Sequence, residues 1–479
     1  MLKKAFLVVT GNAFGSALLL LRNLIVARLV SPHDYGIAST FAIVMSVVEM
    51  LSYVGLNQLM VVDKDGDDPH FQRAMQGFQV MRGLTSSVIL FLIAQPYADF
   101  LGISEVAWAY QVIAVIPLMN GLQHFDMHRL KRHMVFRPFV ATQSIPPLIS
   151  VLLLWPIALI YGDYRIMLVS LLIQTASMVI LSHVMAERPY RLSFDFALMK
   201  KATMFGWPLL LNGILLFGVF NGERLIVGRE LGMSQLAVFS MAITLTLTPT
   251  LVLGNAAQSL FLPKLSALRD DQDRFNWFGI AAVEGGIAIG FLLLLGTVLL
   301  GGPIVHILLG PKYDAMLLIL MPMAVMQAVR VAKTGASTVA LARHRSGNAA
   351  IANMFRVLSL PISWVAVVQT GSVYTVLAIA TVAEVLGYAA SLYLASKRAG
   401  LKLRPLLMPS ILFAIACAAA LIDAAILSPQ PWFLDNLHWT RWVVAAIILA
   451  GLWQMSALRG YFLRRLSGRG VARGPGRVC

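Results

Sequence analysis

Apolar stretches of about 20 residues, separated by short polar connections, follow one another along almost the whole chain. A helix needs roughly 20 predominantly apolar residues to cross about 30 Å of hydrocarbon. We therefore predict an all-α polytopic membrane protein with about 14 transmembrane helices. The predicted spans lie near 6–30, 36–60, 77–95, 106–123, 138–160, 165–185, 205–228, 235–261, 277–300, 314–333, 348–369, 374–395, 406–427 and 440–459.

The predicted spans group as six, six and two. The pentapeptide Leu24–Arg28 (LIVAR) at the end of the first span recurs as Leu225–Arg229 (LIVGR) at the end of the seventh, and Asn57 matches Gln258 at the same offset. We interpret this as two six-helix lobes related by a pseudo-two-fold, an arrangement that places a transport site between the halves. The predicted domains are an N-terminal six-helix lobe over 1–186, a cytoplasmic linker over 187–204, a C-terminal six-helix lobe over 205–396, two additional transmembrane helices over 397–463 and a basic cytoplasmic tail over 464–479.

The composition leaves no room for a separate soluble domain. Hydrophobic residues make up 58% of the chain, charged residues only 13%, and the mean hydropathy is +0.77. The two cysteines, Cys417 and Cys479, have no partner at a spacing that suits a disulfide framework or a metal site. The first apolar segment is too long for the core of a signal peptide and is expected to be a retained helix.

The formal net charge of +16 is distributed by topology. If the amino terminus is cytoplasmic, nearly all lysines and arginines outside the spans fall in the connections on that side of the membrane. This asymmetry follows the positive-inside rule and predicts an even number of spans with both termini in the cytoplasm. We accordingly expect no nucleic-acid partner, although a basic excess is also typical of proteins that bind one.

Several charged and polar residues interrupt the apolar spans, where each arginine costs about 2.5–3.5 kcal/mol on insertion scales. Pairing with buried acids such as Glu284, Glu384 and Asp423 is one explanation for the arginines. The other is a hydrated, cationic cavity between the lobes, since polar stripes on apolar helices face the protein interior or water. The candidate substrate-binding residues are Arg22, Glu49, Arg82, Glu223, Arg224, Asn255, Gln258, Arg330, Lys333 and Arg356.

The connection between the first two predicted spans carries a family resemblance. Ala27–Gly36 (ARLVSPHDYG) resembles the A-R-L-x-S-P-x-D-[FY]-G signature of the Wzx-like polysaccharide flippases, which belong to the multidrug, oligosaccharidyl-lipid and polysaccharide (MOP) exporter superfamily. The turn Gly310–Tyr313 is also similar to that group. The resemblance implies two six-helix bundles around a central cavity, and the pair of spans past residue 400 departs from twelve-helix relatives.

The resemblance implies translocation of an oligosaccharide repeat unit, carried on a polyprenyl pyrophosphate, across the bacterial cytoplasmic membrane. The lobes would move by alternating access, and the partners would be this lipid-linked oligosaccharide, membrane lipids and other polysaccharide assembly proteins. The residues themselves indicate only that the site favours an anionic ligand, because arginine stays charged and binds phosphate bidentately.

Other functions stay open from the sequence. A cation-coupled small-molecule exporter of the same superfamily would need an acid-rich cavity, and a membrane polysaccharide polymerase or ligase would need a large extracytoplasmic loop. A membrane scaffold that transports nothing is a further alternative. The chain has no G-x-x-x-x-G-K-[ST] motif for ATP, and we expect no catalytic residue, no metal and no cofactor. His124 and His128 stand four apart, but we assign them to a basic cytoplasmic helix.

Overall fold

A computed structural model describes residues 2–51, 55–345, 347–426 and 439–466; the predicted tail over 464–479 therefore lies outside the described residues beyond Leu466. The described residues contain no β-strand, and ten of their helices are long and apolar enough to cross a membrane, or eleven if one bent pair is a single span. The α-helices are α1 (Leu2–Leu29), α2 (Pro32–Leu51), α3 (Leu56–Val62), α4 (Pro69–Leu101), α5 (Ala107–Ile113), α6 (Val115–Gly121), α7 (Asp126–Arg132), α8 (Arg137–Leu152), α9 (Leu154–Ile160), α10 (Arg165–Val184), α11 (Phe196–Leu231), α12 (Met233–Ala267), α13 (Gln272–Leu309), α14 (Met316–Ala342), α15 (Gly347–Thr370), α16 (Val373–Ala399), α17 (Leu407–Ile426), α18 (Trp439–Gln454) and α19 (Ser456–Leu466).

The contacts between these helices divide the chain into two compact units, Met1–Ala237 (unit 1) and Val238–Cys479 (unit 2). In unit 1, α8 packs against α1 and α10, α4 packs against α5 and α6, and α11 packs against α2 and α4. The segment between α10 and α11, where we predicted the linker, is irregular over 186–195. The lobe boundaries drawn from the sequence stay a prediction.

Two predicted spans of unit 1 are interrupted at prolines. The span near 106–123 is divided between α5, which ends at Ile113, and α6, which contains Pro117. The span near 138–160 is divided between α8, which ends at Leu152, and α9, which contains Pro156. A proline ring clashes with the carbonyl four residues earlier and lacks the N–H that would bond to it. In both cases the helix ends four residues before the proline.

Three helices are longer than the apolar stretches that predicted them because aspartate caps add polar turns. Asp68, Asp195 and Asp271 precede α4, α11 and α13, and each side chain accepts a backbone N–H of the first turn. Such caps satisfy donors that a helix N-terminus otherwise leaves unpaired. The resulting helices, of 33, 36 and 38 residues, extend beyond the apolar core of each span.

In unit 2, α14 is the central helix: 83% of the residues in its most apolar window are buried. It packs against α13, α16 and α17, and α15 packs against α16. The close approach of α13 and α14 depends on glycine, since a Cβ at Gly335 would lie 2.4 Å from the carbonyl oxygen of Ala282. The helices α17, α18 and α19 complete the apolar core of this unit on the side of α13.

Candidate substrate-binding site

A cluster of three cations around one carboxylate lies inside unit 2. Glu384 on α16 accepts from Arg330 Nε at 2.6 Å and from Lys333 Nζ at 2.9 Å, both on α14. Arg356 on α15 places its Nε 3.2 Å from the same carboxylate. Lys333 also donates to the side-chain oxygen of Asn353 at 3.0 Å. We call Arg330, Lys333, Arg356, Glu384 and Asn353 the charge cluster.

The local sequence brings these side chains together. Arg330 and Lys333 are three residues apart, so they lie on neighbouring turns of one face of α14. Gly387, one turn after Glu384, lets α16 approach α15 closely, because a Cβ there would lie 2.7 Å from the carbonyl oxygen of Ala352. The same Cβ position lies 3.8 Å from Lys333 Nζ. The glycine therefore makes room for both the helix contact and the lysine head.

The charge cluster is buried and carries a surplus of positive charge. Glu384 and Arg356 are 0% and 1% exposed, and the side chain of Arg330, at 12%, is the most accessible of the three cations. The three cations and the one carboxylate together carry a formal net charge of +2. Because a buried charge is costly unless it is compensated, such a cluster favours a bound anion.

A buried amide extends the polar face of α14 beyond the charge cluster. Gln327, one turn before Arg330, is 0% exposed. Within the described residues, neither its side-chain nitrogen nor its side-chain oxygen has a hydrogen-bond partner. Unsatisfied buried amides are rare and need an explanation. A polar ligand or water reaching this face would satisfy both groups.

Unit 1 holds a second arrangement of candidate residues around Tyr35. Arg22 on α1 donates to the side-chain oxygen of Gln174 on α10. Tyr35, at the start of α2, interacts electrostatically with both Arg22 and Arg224 of α11. Arg22 and Tyr35 are buried, at 7% and 3% exposure. Arg22 is thus hydrogen-bonded to a neutral amide, which leaves its positive charge in place.

The other candidates occupy varied positions. Glu223 is buried on α11, and Arg82 is half-buried on α4. On α12, Asn255 is exposed and Gln258 is half-buried, and neither has a described hydrogen bond to the charge cluster. Glu49 lies in α2, but its side chain falls outside the part that the structure describes. A substrate role for these residues stays a prediction.

Sequence reasoning treated Glu384 only as a pairing partner and missed that three cations share it. The available signal was a lone glutamate in an apolar span, followed three residues later by a glycine that permits close packing. Gln174 and Tyr35 were not singled out either. Gln174 is a polar residue within the apolar α10, so the polarity of that span was the signal for it.

The comparisons with known proteins agree with this architecture. A sequence model of the family described as polysaccharide biosynthesis protein matches residues 25–318. The chain belongs to this family. The match includes the Ala27–Gly36 segment, so the resemblance drawn from that signature is confirmed.

Two curated relatives of this chain are named for polysaccharide biosynthesis. The succinoglycan biosynthesis transport protein ExoT of Rhizobium meliloti (strain 1021) is 23% identical over 60% of this chain and 58% of its own length. The lipopolysaccharide biosynthesis protein WzxC of Escherichia coli (strain K12) is 20% identical over 67% of this chain and 65% of its own length. The chain thus spans about three fifths of the length of these relatives.

Solved structures show the same fold. The lipid II flippase MurJ in its inward closed conformation superposes with a TM-score of 0.67 at 14% identity, covering 98% of this chain and 100% of MurJ. An inward-facing multidrug resistance transporter of the MATE family, described as a member of the MOP superfamily, has a TM-score of 0.65 at 13% identity and covers 81% of this chain and 94% of its own. The prediction of an all-α, multi-pass membrane fold is therefore confirmed.

Proposed function

We propose that this protein flips polyprenyl-pyrophosphate-linked oligosaccharide repeat units across the bacterial cytoplasmic membrane for surface polysaccharide biosynthesis. The sugar pyrophosphate would cross through the protein by alternating access, while the polyprenyl tail stays in lipid. No covalent step is involved. The names of the relatives, a transport protein and a lipopolysaccharide biosynthesis protein, support this proposal.

The observation that carries the proposal is the surplus positive charge of the charge cluster. A pyrophosphate offers several oxygens with negative charge, and guanidinium groups bind such oxygens through paired, charge-assisted hydrogen bonds. Arg330 is the cation best placed to reach a ligand, because it is the most exposed of the three. Its Nε donates to Glu384, and we assign its guanidinium group to contact with the pyrophosphate.

The rival function, a cation-coupled exporter, would need a carboxylate that is free to take up and release the coupling ion. Glu384 does not suit that role, because three cations already compensate its charge. This pairing favours an anionic substrate over cation coupling at Glu384.

We place the protein in the cytoplasmic membrane with both termini on the cytoplasmic side. The asymmetry of the basic residues supports this orientation. The partners that we propose are the lipid-linked oligosaccharide, membrane lipids and other polysaccharide assembly proteins. Candidate residues beyond the charge cluster are Arg22, Glu49, Arg82, Glu223, Arg224, Asn255 and Gln258.

The test is export of surface polysaccharide by variants at Arg330 and Arg356, measured at matched protein levels in cells that lack the wild-type gene. We expect Arg330→Gln to reduce export at least about tenfold, since a lost charged contact is worth about 1.5–3 kcal/mol. Arg345→Gln, which removes an exposed arginine, is the matched control. Normal export by both Arg330→Gln and Arg356→Gln would refute the assignment.

A further inference from the structure

A basic pocket lies at the start of α4 and shares no residue with the charge cluster or with the arrangement around Tyr35. Its cavity of about 180 Å³ is formed by the first two turns of α4 and by the segment between α10 and α11. Arg73, Arg188 and Arg191 line it, together with Gln72, Gln76 and two prolines. Three of the seven lining residues are thus cationic, and none is acidic.

Arg188 is held in position by a chain of hydrogen bonds. Its guanidinium group donates to the Gln72 side-chain oxygen and to the Asp67 carbonyl oxygen, both at 3.0 Å. The backbone N–H of Arg188 and that of Glu187 donate to the buried carboxylate of Asp126, at 3.3 and 2.7 Å. Because these contacts fix both the backbone and the side chain, the arginine is preorganised for a ligand.

One acidic side chain, Asp67, pairs with the pocket residue Arg188 as well as with His133. Asp67 bonds to the His133 ring at 2.8 Å and lies 3.9 Å from Arg188. The hydrogen bond with His133 lowers the pKa of the Asp67 carboxyl. For Arg73 and Arg191, the described part of the chain shows no ion pair. Within the described residues, Arg73 and Arg191 therefore carry positive charge that no carboxylate pairs with.

An unsatisfied donor also faces the cavity. Gln76, which lines the pocket, is 1% exposed, and its Nε2 has no hydrogen-bond acceptor among the described residues. The hydroxyl of Tyr190 lies beside this amide. A buried N–H that lacks an acceptor destabilises the folded protein, and a bound acceptor would remove that cost.

We propose that this pocket binds the phosphate oxygens of a ligand distinct from the transported substrate. One arginine that is fixed in place, Arg188, together with two further arginines and an amide N–H, offers the donors that a phosphate group accepts. The pocket includes the first residues of the predicted cytoplasmic linker. On that side of the membrane the phosphate could come from the head group of an anionic phospholipid in the inner leaflet or from a soluble phosphate ester.

The experiment measures binding to the purified full-length chain in two arms. In the first, inorganic phosphate is titrated into the protein in lipid-free neutral detergent, at constant ionic strength to equalise screening. In the second, the protein is placed in nanodiscs of phosphatidylcholine, alone or mixed with phosphatidylglycerol. The readout in both arms is the midpoint temperature of unfolding, Tm, which rises when a ligand binds the folded state.

The pocket variants are Gln76→Leu and the double variant Arg73→Gln/Arg191→Gln, and the matched control is Arg345→Gln. We expect the Tm of the wild type and of the control to rise when ligand is added in at least one arm. The double variant should bind the ligand at least about tenfold more weakly. Gln76→Leu should weaken binding without lowering the Tm of the ligand-free protein.

The pattern of results separates the sources. A response confined to the phosphate arm supports a soluble ester, and one confined to phosphatidylglycerol nanodiscs supports a lipid head group. If neither ligand raises the Tm of the wild type, or if the pocket variants respond as fully as the wild type, the proposal is wrong. The proposal is also wrong if Arg345→Gln loses as much of the ligand-induced rise in Tm as the double variant does, since binding would then reflect surface charge alone.

Discussion

Arg330 Nε on α14 lies 2.6 Å from Glu384 Oε1 on α16, and the same carboxylate also contacts Lys333 and Arg356. Removal of its charge would leave three cations packed together in the interior of unit 2. Breaking a buried ion pair on one side costs about 3–5 kcal/mol, because the remaining charge stays buried. We therefore expect Glu384→Gln to lower the Tm of the purified protein markedly.

The exposed Glu105→Gln is the control for this first prediction and should leave Tm near that of the wild type. The double variant Glu384→Gln/Arg330→Gln carries one buried cation fewer and should recover part of the lost stability. If the double variant is no more stable than Glu384→Gln alone, the two residues are not coupled as the structure indicates.

The contact between α13 and α14 gives a second prediction. A Cβ at Gly335 would lie 2.4 Å from the carbonyl oxygen of Ala282, a distance that neither backbone can accept without moving. Gly335→Ala should therefore destabilise unit 2 by about 1–3 kcal/mol, as overpacking of a core does. The measurement is Tm in detergent.

Gly296→Ala is the matched control, because this glycine lies on α13 and a Cβ added to it would have nothing within 4 Å. There the alanine should stabilise the helix by about 0.5–1 kcal/mol. Equal Tm changes at both positions would contradict the close approach at Gly335.

The buried Asp126 fixes the irregular segment after α10. Its carboxylate accepts from the side chain of Arg129 at 2.6 Å and from the backbone N–H groups of Glu187 and Arg188. Asp126→Asn removes the charge and turns one acceptor into a donor. Hydrogen bonds to charged groups contribute about 1.5–3 kcal/mol, so we expect amide exchange at Glu187 to accelerate about tenfold or more.

Hydrogen–deuterium exchange with mass spectrometry checks this third prediction at residue resolution. Asp270→Asn, which changes an exposed carboxylate, should leave exchange of the segment unchanged. Protection at Glu187 that survives in Asp126→Asn would show that other contacts hold the segment.

Glu284 on α13 supplies the acceptor at the start of α19. Its Oε2 lies 2.7 Å from the backbone N of Leu458, the third residue of that helix, whose N–H has no partner within the helix. Glu284→Ala should therefore cost about 0.5–2 kcal/mol of helix stability. Faster amide exchange at Leu458 is the expected signal.

Glu284→Gln retains an oxygen at the same position and should protect Leu458 better than alanine does. If the amide of Leu458 exchanges in Glu284→Ala at the wild-type rate, the carboxylate does not cap this helix.

The membrane fold could be predicted from the sequence because the length and apolarity of each span are local properties. Prolines such as Pro117 and Pro156 are also visible in the sequence, but Pro322 lies inside the uninterrupted α14, so a proline alone does not predict where a helix ends. Aspartate caps such as Asp271 lengthen helices for the same kind of reason, since polar turns outside the hydrocarbon leave no apolar signal.

The sequence by itself determined that Arg330, Lys333, Arg356 and Glu384 lie in apolar spans and need compensation. Only the tertiary structure decided that the three cations share one carboxylate, because that depends on the rotation and spacing of three helices that are distant along the chain. Hydrophobic periodicity states which residues avoid lipid. It carries no information on which of them meet, and the surplus charge on which the proposed function rests arises from that meeting.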